Sequence, residues 1–377
     1  MINLFKGVNA IEFGKHFKDN ETCLAYLASL KWQEGYACVK CHHTEYSKGN
    51  LPYFRRCKRC SYDESPTANT LFHKLKFDLT KAFHIAYRVT VKKKSMSTTE
   101  LAKEVGVTQK TAWIFKRKLQ EAMKSSEQFP LTNEVHMDEF VLGQKEEGKP
   151  GRSLGKKKVA AVVIEIKPNG KVGRAYAKHI SNYQTKTLKS VAEKYVNKDA
   201  ELVSDKYKSY DSFEEQYPKH KSIKSVPGKN FIEIHNHIMN LKSWIRGIHH
   251  KVSDEHFQNY LDEFHYRFNR RNNTNTIFNN LINRIVKHNP FTFKQTGLVG
   301  TLRRVIYLSV PAVIPLLNDE WGAPVSRRWS HDPCSSRHCR EQTRGSGGRY
   351  RPWPSETGRT HRRRPSLWPR KPHASGR

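Results

Sequence analysis

The chain has 377 residues, enough for two or three domains and at least one sizeable core, which excludes a cross-linked mini-protein. Its 68 Lys and Arg against 35 Asp and Glu leave a net charge of +33, an excess that no core requires but a polyanion rewards, because each phosphate neutralised releases condensed counterions. No run of about 18 apolar residues spans a bilayer, and the opening MINLFKGVNAIEF lacks the apolar stretch of a signal peptide; the expectation is a soluble, cytoplasmic, nucleoid-associated protein with no membrane partner.

Residues 1–75 begin with a short helix, about Asn20 to Leu30, followed by two tight cysteine pairs. CVKC and CKRC place Cys38, Cys41, Cys57 and Cys60 in a C-x2-C…C-x2-C pattern with 15 residues between the pairs. In a reducing compartment that spacing reads as a zinc ribbon rather than a disulfide framework. A module of about 35 residues is too small to fold on burial alone, and structural zinc contributes roughly 10–16 kcal/mol of apparent binding free energy. The basic residues around the ligands, among them Lys40, Arg55, Arg56 and Lys58, read as a solvated face or as a DNA contact.

Residues 76–128 are expected to be helical. STTELAKEVGVTQKTAWIFKRKLQEAM reads as a helix, a turn at Gly106 and a second helix capped by Thr108, the spacing of a helix-turn-helix. Gln109, Lys110, Thr111, Lys116 and Arg117 are the candidate DNA contacts, and Ala112, Trp113, Phe115 and Leu119 are the apolar face. A plain helical hairpin is the other reading.

Residues 129–295 change pattern. EVHMDEFVLG reads as a strand, KKVAAVVIEI and GKVGRAYAKHI as a hairpin across PNG, NYQTKTLKSVAEKYV as a helix and ELVSD as a short strand. FIEIHNHIMNLKSWIRGI and EHFQNYLDEFHYRFNRRN then carry apolar residues at three- and four-residue spacing. Strands, hairpin, crossover helix and further strand predict an α/β fold with a mixed sheet.

The segment 296–377 departs in character. Residues 322–377 hold 13 Arg, one Lys and three acids, a local charge of 13 + 1 − 3 = +11, amid Pro, Ser, Gly and Trp. Without an apolar period it is expected to be disordered. It reads either as a basic DNA-binding arm or as out-of-frame translation past a junction. The swap from Lys to Arg, which follows base composition rather than selection for charge, favours the second.

Two acids, Asp138 in EVHMDEF and Asp205 in ELVSDKYKSY, stand where strand pattern meets polar sequence. An acid on a strand costs desolvation unless it is paired or ligates a cation, and rigid strands hold two carboxylates at the spacing that two-metal phosphoryl transfer needs. Taken singly, each also reads as a strand-end cap.

From about Phe13 to Lys294, through LASLKWQEGYACVKC, HMDEF, SDKYKSY, IHNHIMNLKSWIRGIHH and YLDEFHYRFNRRNN, the chain resembles the insertion-sequence transposases that join a zinc ribbon to an RNase H-like DDE domain. These are the ISXO-two-like group of insertion-sequence family fifteen-ninety-five. The resemblance implies Asp138 and Asp205 as the first two catalytic residues, Lys242 as a following lysine, and Glu263 with Arg267 as a further pair. It leaves the third position between His235 and Asn236, since the group often has Asn there. Seven residues separate His235 from Lys242, which brings the two within about 20° on a helix, while Glu233 points away. His235 is the choice on that geometry.

The reading is therefore a metal-dependent transposase acting on double-stranded DNA as a homo-oligomer. Mg2+ or Mn2+ would be held by Asp138, Asp205 and His235, and structural Zn2+ by the cysteines. Lys242 and Arg246, one turn apart, are expected on the DNA backbone. A non-catalytic DNA-binding regulator and an inactive transposase remnant are the alternatives.

Overall fold

The computed structural model describes residues 4–7, 9–143, 157–226, 228–249 and 251–292. The segment 296–377 lies outside the described residues, so the reading of it as disordered or out of frame is not addressed by the structure.

Two short helices, α1 (Ala10–His16) and α2 (Asn20–Lys31), open the chain. The second starts on a reciprocal cap, with the Asp19 carboxylate accepting from Thr22 N at 2.8 Å and Thr22 Oγ1 facing the Asp19 backbone. Three short strands follow, β1 (Tyr46–Lys48), β2 (Arg55–Cys57) and β3 (Asp63–Glu64), paired antiparallel in that order.

Next come α3 (Leu79–Val91), α4 (Thr98–Val105) and α5 (Gln109–Met123). Gly106 ends α4 in the left-handed region (φ 63°, ψ 54°), and Thr108 Oγ1 accepts from Thr111 N at 3.2 Å to start α5. The turn and the cap therefore fall where the sequence pattern puts them.

The five-stranded sheet is built from β4 (Glu134–Leu142), β5 (Lys158–Ile166), β6 (Val172–Ile180), β7 (Glu201–Asp205) and β8 (Lys221–Ile223), in the order β6-β5-β4-β7-β8. β4, β5 and β6 are antiparallel neighbours, whereas β7 pairs parallel to β4 and β8 parallel to β7. The crossover helix α6 (Thr185–Tyr195) packs on one face with Val135, Met137, Ala161 and Val163. Helices α7 (Ile232–Ile248) and α8 (Asp254–Phe268) cover the other, against Phe140, Val162, Ile164 and Val203. The protein is thus a mixed α/β structure, with β4 to β7 and α7 within two residues of their sequence-based positions, α6 starting three residues later and α8 ending four residues earlier than read. β8 is three residues with burial exposed, half-buried, exposed, too short and too polar for a strand period to reveal it.

Helix α9 (Ile277–Lys287), for which the sequence reading named no element, buries Ile277, Phe278, Leu281, Ile282 and Ile285 in one core with α1, α2, α3 and α5. Helices α1 and α2 share that core rather than standing with the cysteine module, whose own small core is Trp32, Tyr36, Cys38 and Cys57. The chain's first helices and its last described helix therefore close one helical layer.

The turn between α4 and α5 supplies a stability test. A Cβ at Gly106 would meet only Lys81 Nζ at 3.8 Å, so the cost of Gly106→Ala is the left-handed backbone alone. A loss of about 1 kcal/mol in urea unfolding is expected; an unchanged midpoint would mean that the turn relaxes to another conformation.

Candidate functional site

Parallel pairing of β4 and β7 sets Met137 opposite Ser204, so Asp138 and Asp205 occupy the next step of the same register. Adjacent strands are about 4.8 Å apart, and residues at one level of a parallel pair point to the same face. That face is the α7 side, since Phe140 on β4 and Val203 on β7, each two residues from its aspartate, lie in the core under α7. The two carboxylates are thus neighbours on one face of adjacent strands.

Phe231 fixes how α7 arrives. Its ring is buried, 5.5 Å from the His136 ring, while its backbone is left-handed (φ 58°) and accepts from His235 N at 3.0 Å. From that start the helix aims His235 Nε2 to 3.5 Å from Asp138 Oδ2. Asn236, 100° further round, is exposed. Lys242, two turns on, is half-buried with its ammonium 5.4 Å from the Phe140 ring centroid. Burial and then Arg246 lower its pKa, while Asp138 pulls the other way. Arg246 is exposed on the same helix.

Asp138 Oδ1 accepts from Glu139 N at 2.8 Å and Asp205 Oδ1 from Tyr207 N at 3.3 Å, so the backbone helps orient both carboxylates. Tyr210, to which the sequence reading assigned no role, is buried and donates to Glu139 on the opposite face of β4. Burial first, then Glu139, Asp138 and Asp205, raise its pKa well above the ordinary value, which keeps it a neutral donor behind the acidic pair. It lies in SDKYKSY, but nothing in the strand and helix periods singles it out.

Two carboxylates and an imidazole on one face suit a hard divalent cation. Among the described residues the four cysteines are the group whose donor atoms all lie within 4.8 Å of one another. Cys38 and Cys60 sulfurs are 3.5 Å apart, as are those of Cys41 and Cys57. Zn–S bonds of 2.3 Å require S···S separations of about 3.8 Å in a tetrahedron, so the four thiols fit zinc.

The two cysteine knuckles repeat each other. His42 N donates to Cys38 O and Ser61 N to Cys57 O, and both His42 (φ 58°) and Ser61 (φ 55°) are left-handed. Burial alone would raise the Cys38 thiol, but the backbone N–H groups of Lys40 and Cys41 outweigh it and draw the pKa down to about 6. Cys41 in the same knuckle, despite the His43 N–H, is pushed the other way by burial and by the neighbouring Cys60, Cys57 and Cys38 thiols, so the four sulfurs share protons until a metal displaces them.

Four residues are placed differently from expectation. Glu263, expected with the catalytic set, is fully buried on the side of α8 that faces α5. It accepts from Ser95 Oγ and from Gln120 Nε2 (2.6 Å) and pairs with Lys116 Nζ at 3.3 Å. Arg267 donates to the carbonyls of Lys92 and Lys93 at the end of α3. Lys116 and Arg117, expected on a DNA-reading surface, are 2% and 4% exposed. The reason is that α8 is buried on two faces, against β6 and against α5, so residues of α5 that would be open in an isolated helix pair are covered. Gln109 and Lys110 remain exposed and Thr111 half-exposed, at the start of α5.

Residues 130–269 match the ISXO2-like transposase domain. That stretch of the chain is thus an ISXO2-like transposase domain. The match begins just before β4 and ends just after α8, so it spans every residue from Asp138 to Arg267 placed above. No curated protein matches the chain. Among solved structures it is similar to a pre-cleavage Mos1 transpososome, at 10% identity over 55% of this chain and 78% of that one, with a TM-score of 0.21, too low to carry an argument.

Burial lowers the pKa of Lys116 in spite of Glu263, whereas burial works against the Glu263 carboxylate and Lys116, Arg267 and Ser95 together overcome it and lower its pKa. The pair is therefore costly to break rather than a source of net stability. Glu263→Ala is expected to cost about 3–5 kcal/mol by stranding Lys116. Most of that should return in Glu263→Ala with Lys116→Met; a double variant no better than the single would show that the charges are not coupled.

Buried His237 on α7 and His265 on α8 share a hydrogen bond, Nε2 to Nε2 at 3.0 Å. Burial pushes His265 down to about 4 and, with His265 and Arg271 adding to it, His237 well below the ordinary 6.5. Because these folded-state values are depressed, the unfolded chain takes up protons first, so stability is full above about pH 6.5 and declines as pH falls towards 4. The urea midpoint should drop across that window, and less steeply in His265→Gln; an equal drop in both would assign the effect elsewhere.

Proposed function

We propose that the protein cuts DNA at the ends of an insertion element and joins the freed 3′ hydroxyls to target DNA, with Asp138, Asp205 and His235 as the holders of Mg2+ or Mn2+. The observation that carries this reading is the shared register of Asp138 and Asp205 on parallel strands, with His235 Nε2 3.5 Å from Asp138. The strand order third-second-first-fourth-fifth, with only the first three antiparallel, is the order expected of an RNase H-like domain.

Divalent cations bound there would activate the attacking oxygen and stabilise the leaving one. The chain's own residues do the positioning. Asp138 and Asp205 supply the negative charge, and His235 supplies a neutral nitrogen, which weakens one ion site relative to three carboxylates. Lys242 and Arg246 hold the backbone phosphates at the cut, on the helix that carries His235. Gln109, Lys110 and Thr111 meet DNA at the exposed start of α5, in a helix-turn-helix, and the cysteine ribbon carries Zn2+ beside them. Glu263 and Arg267 act here as positioning residues that set α5 against α8. Joining two element ends requires at least two copies on DNA, hence a homo-oligomer.

The composition of 322–377 favours a second reading, an inactive remnant. End cleavage and strand transfer on the DNA flanking the element separate the two. Asp138→Ala or Asp205→Ala should lower cleavage by roughly 100-fold or more while DNA affinity stays within about twofold, and His235→Ala should raise the Mg2+ needed for half-maximal cleavage. Cleavage undiminished in both aspartate variants would overturn the proposal. A full chain that stays inactive both as it is and truncated at Lys294 would favour the remnant.

A further inference from the structure

Arg117 is a buried cation with no ion-pair partner of its own among the described residues, although Glu263 and Glu121 lie near enough to favour its charge. Arg117 is 4% exposed; Nη1 donates to Gln120 Oε1 at 2.5 Å and Nη2 to Asn259 Oδ1 at 3.0 Å, both neutral amides. Lys116, its chain neighbour, has Glu263, but among the described residues no Asp or Glu forms an ion pair with Arg117. The rings of Trp113 and Tyr260, at 5.3 and 5.6 Å from its guanidinium carbon, offset only part of the cost of removing such a charge from water.

The guanidinium borders a cavity of about 440 Å³ between α4, α5 and the ends of α7 and α8. Thr98 and Thr99 line one wall. They are the first residues of the eight-residue α4, and their N–H groups have no intrahelical acceptor. Lys251 and His249 also line the cavity, the His249 ring stacked on Tyr260 at 4.0 Å with its Nε2 buried and without a hydrogen bond. Three kinds of donor thus face one cavity whose lining contains no carboxylate.

We propose that this cavity is an anion site that takes one phosphodiester of the DNA backbone, with Arg117 at its base and the start of α4 at its mouth. The assignment rests on the reading of the chain as a protein that acts on DNA, but not on its catalytic chemistry. Its place fits a duplex: Gln109, at the exposed start of α5, lines the same cavity, and His249 follows His235 by 14 residues along α7. At 1.5 Å per residue that is about 21 Å, or about six base-pair steps of 3.4 Å. A duplex held at the metal-binding face would have a phosphate within one turn of the cavity.

The test measures DNA binding by the full chain, without added Mg2+, on a mixed-sequence 30-base-pair duplex between about 50 and 250 mM NaCl. Arg117→Met should weaken binding about tenfold near 100 mM salt and reduce the slope of log affinity against log salt by about 0.9, the value of one lost phosphate contact. Thr98→Glu would put a carboxylate in the phosphate's place. It should melt higher than Thr98→Gln while showing the same reduced slope. An unchanged slope in folded Arg117→Met, or equal DNA binding by Thr98→Glu and Thr98→Gln, overturns the proposal; if Arg117→Met does not fold, the Thr98 pair decides. Inorganic phosphate that raises the melting temperature of the unmodified chain but not of Arg117→Met, with unaltered DNA slopes, would assign the site to free phosphate instead. Because binding is read without added Mg2+, a chain that does not cleave still gives these outcomes.

Discussion

The parallel pairing of β4 with β7 is the constraint on which the candidate site depends. It joins two strands separated in sequence by a hairpin and a crossover helix, and its register puts Asp138 beside Asp205 on one face. A slip of one residue would turn one of the two carboxylates into the core under α6. That slip is opposed from both sides, because Val135 and Met137 are buried against α6 while Phe140 and Leu142 are buried against α7 and α8. The acidic pair is held in place by the burial of its apolar neighbours.

Helix α8 links that face to the rest of the molecule. Its Phe257 and Leu261 belong to the sheet's core, while Glu263 reaches across to Ser95, Lys116 and Gln120 and Arg267 to the carbonyls ending α3. A buried charge without a partner is heavily penalised, whereas a satisfied network tolerates only one arrangement. The network consequently sets α5, which presents Gln109 and Lys110 to solvent, against α8. Glu263 and Arg267, expected with the catalytic set, are thus engaged with α5 and with the end of α3.

The +33 charge is likewise distributed in a way that composition conceals. Some basic side chains, such as Lys116, neutralise buried acids, others such as Arg271 cap carbonyls at the edge of β6, and Lys110 and Arg246 are left exposed. Counting Lys and Arg along α5 overstates its readable surface, because Lys116 and Arg117 lie under α8. The helix period is right; what it does not report is that a second layer covers the polar side as well.

From sequence alone, the local elements of the α/β region, the turn at Gly106, the Thr108 cap and the paired cysteine knuckles were all legible, because each depends on interactions within a few residues. The phase of His235 relative to Lys242 was legible for the same reason, being a property of one helix. Tertiary structure alone decided the rest: that α9 returns to the first helices, that β8 joins the sheet, that Tyr210 backs the acidic pair and that Glu263 meets Lys116. Those pairings join residues as much as 274 positions apart, as between Phe5 and Asn279, and depend on which faces are covered once the layers close. No periodicity encodes that, since burial of a polar face becomes favourable only after its partner has arrived.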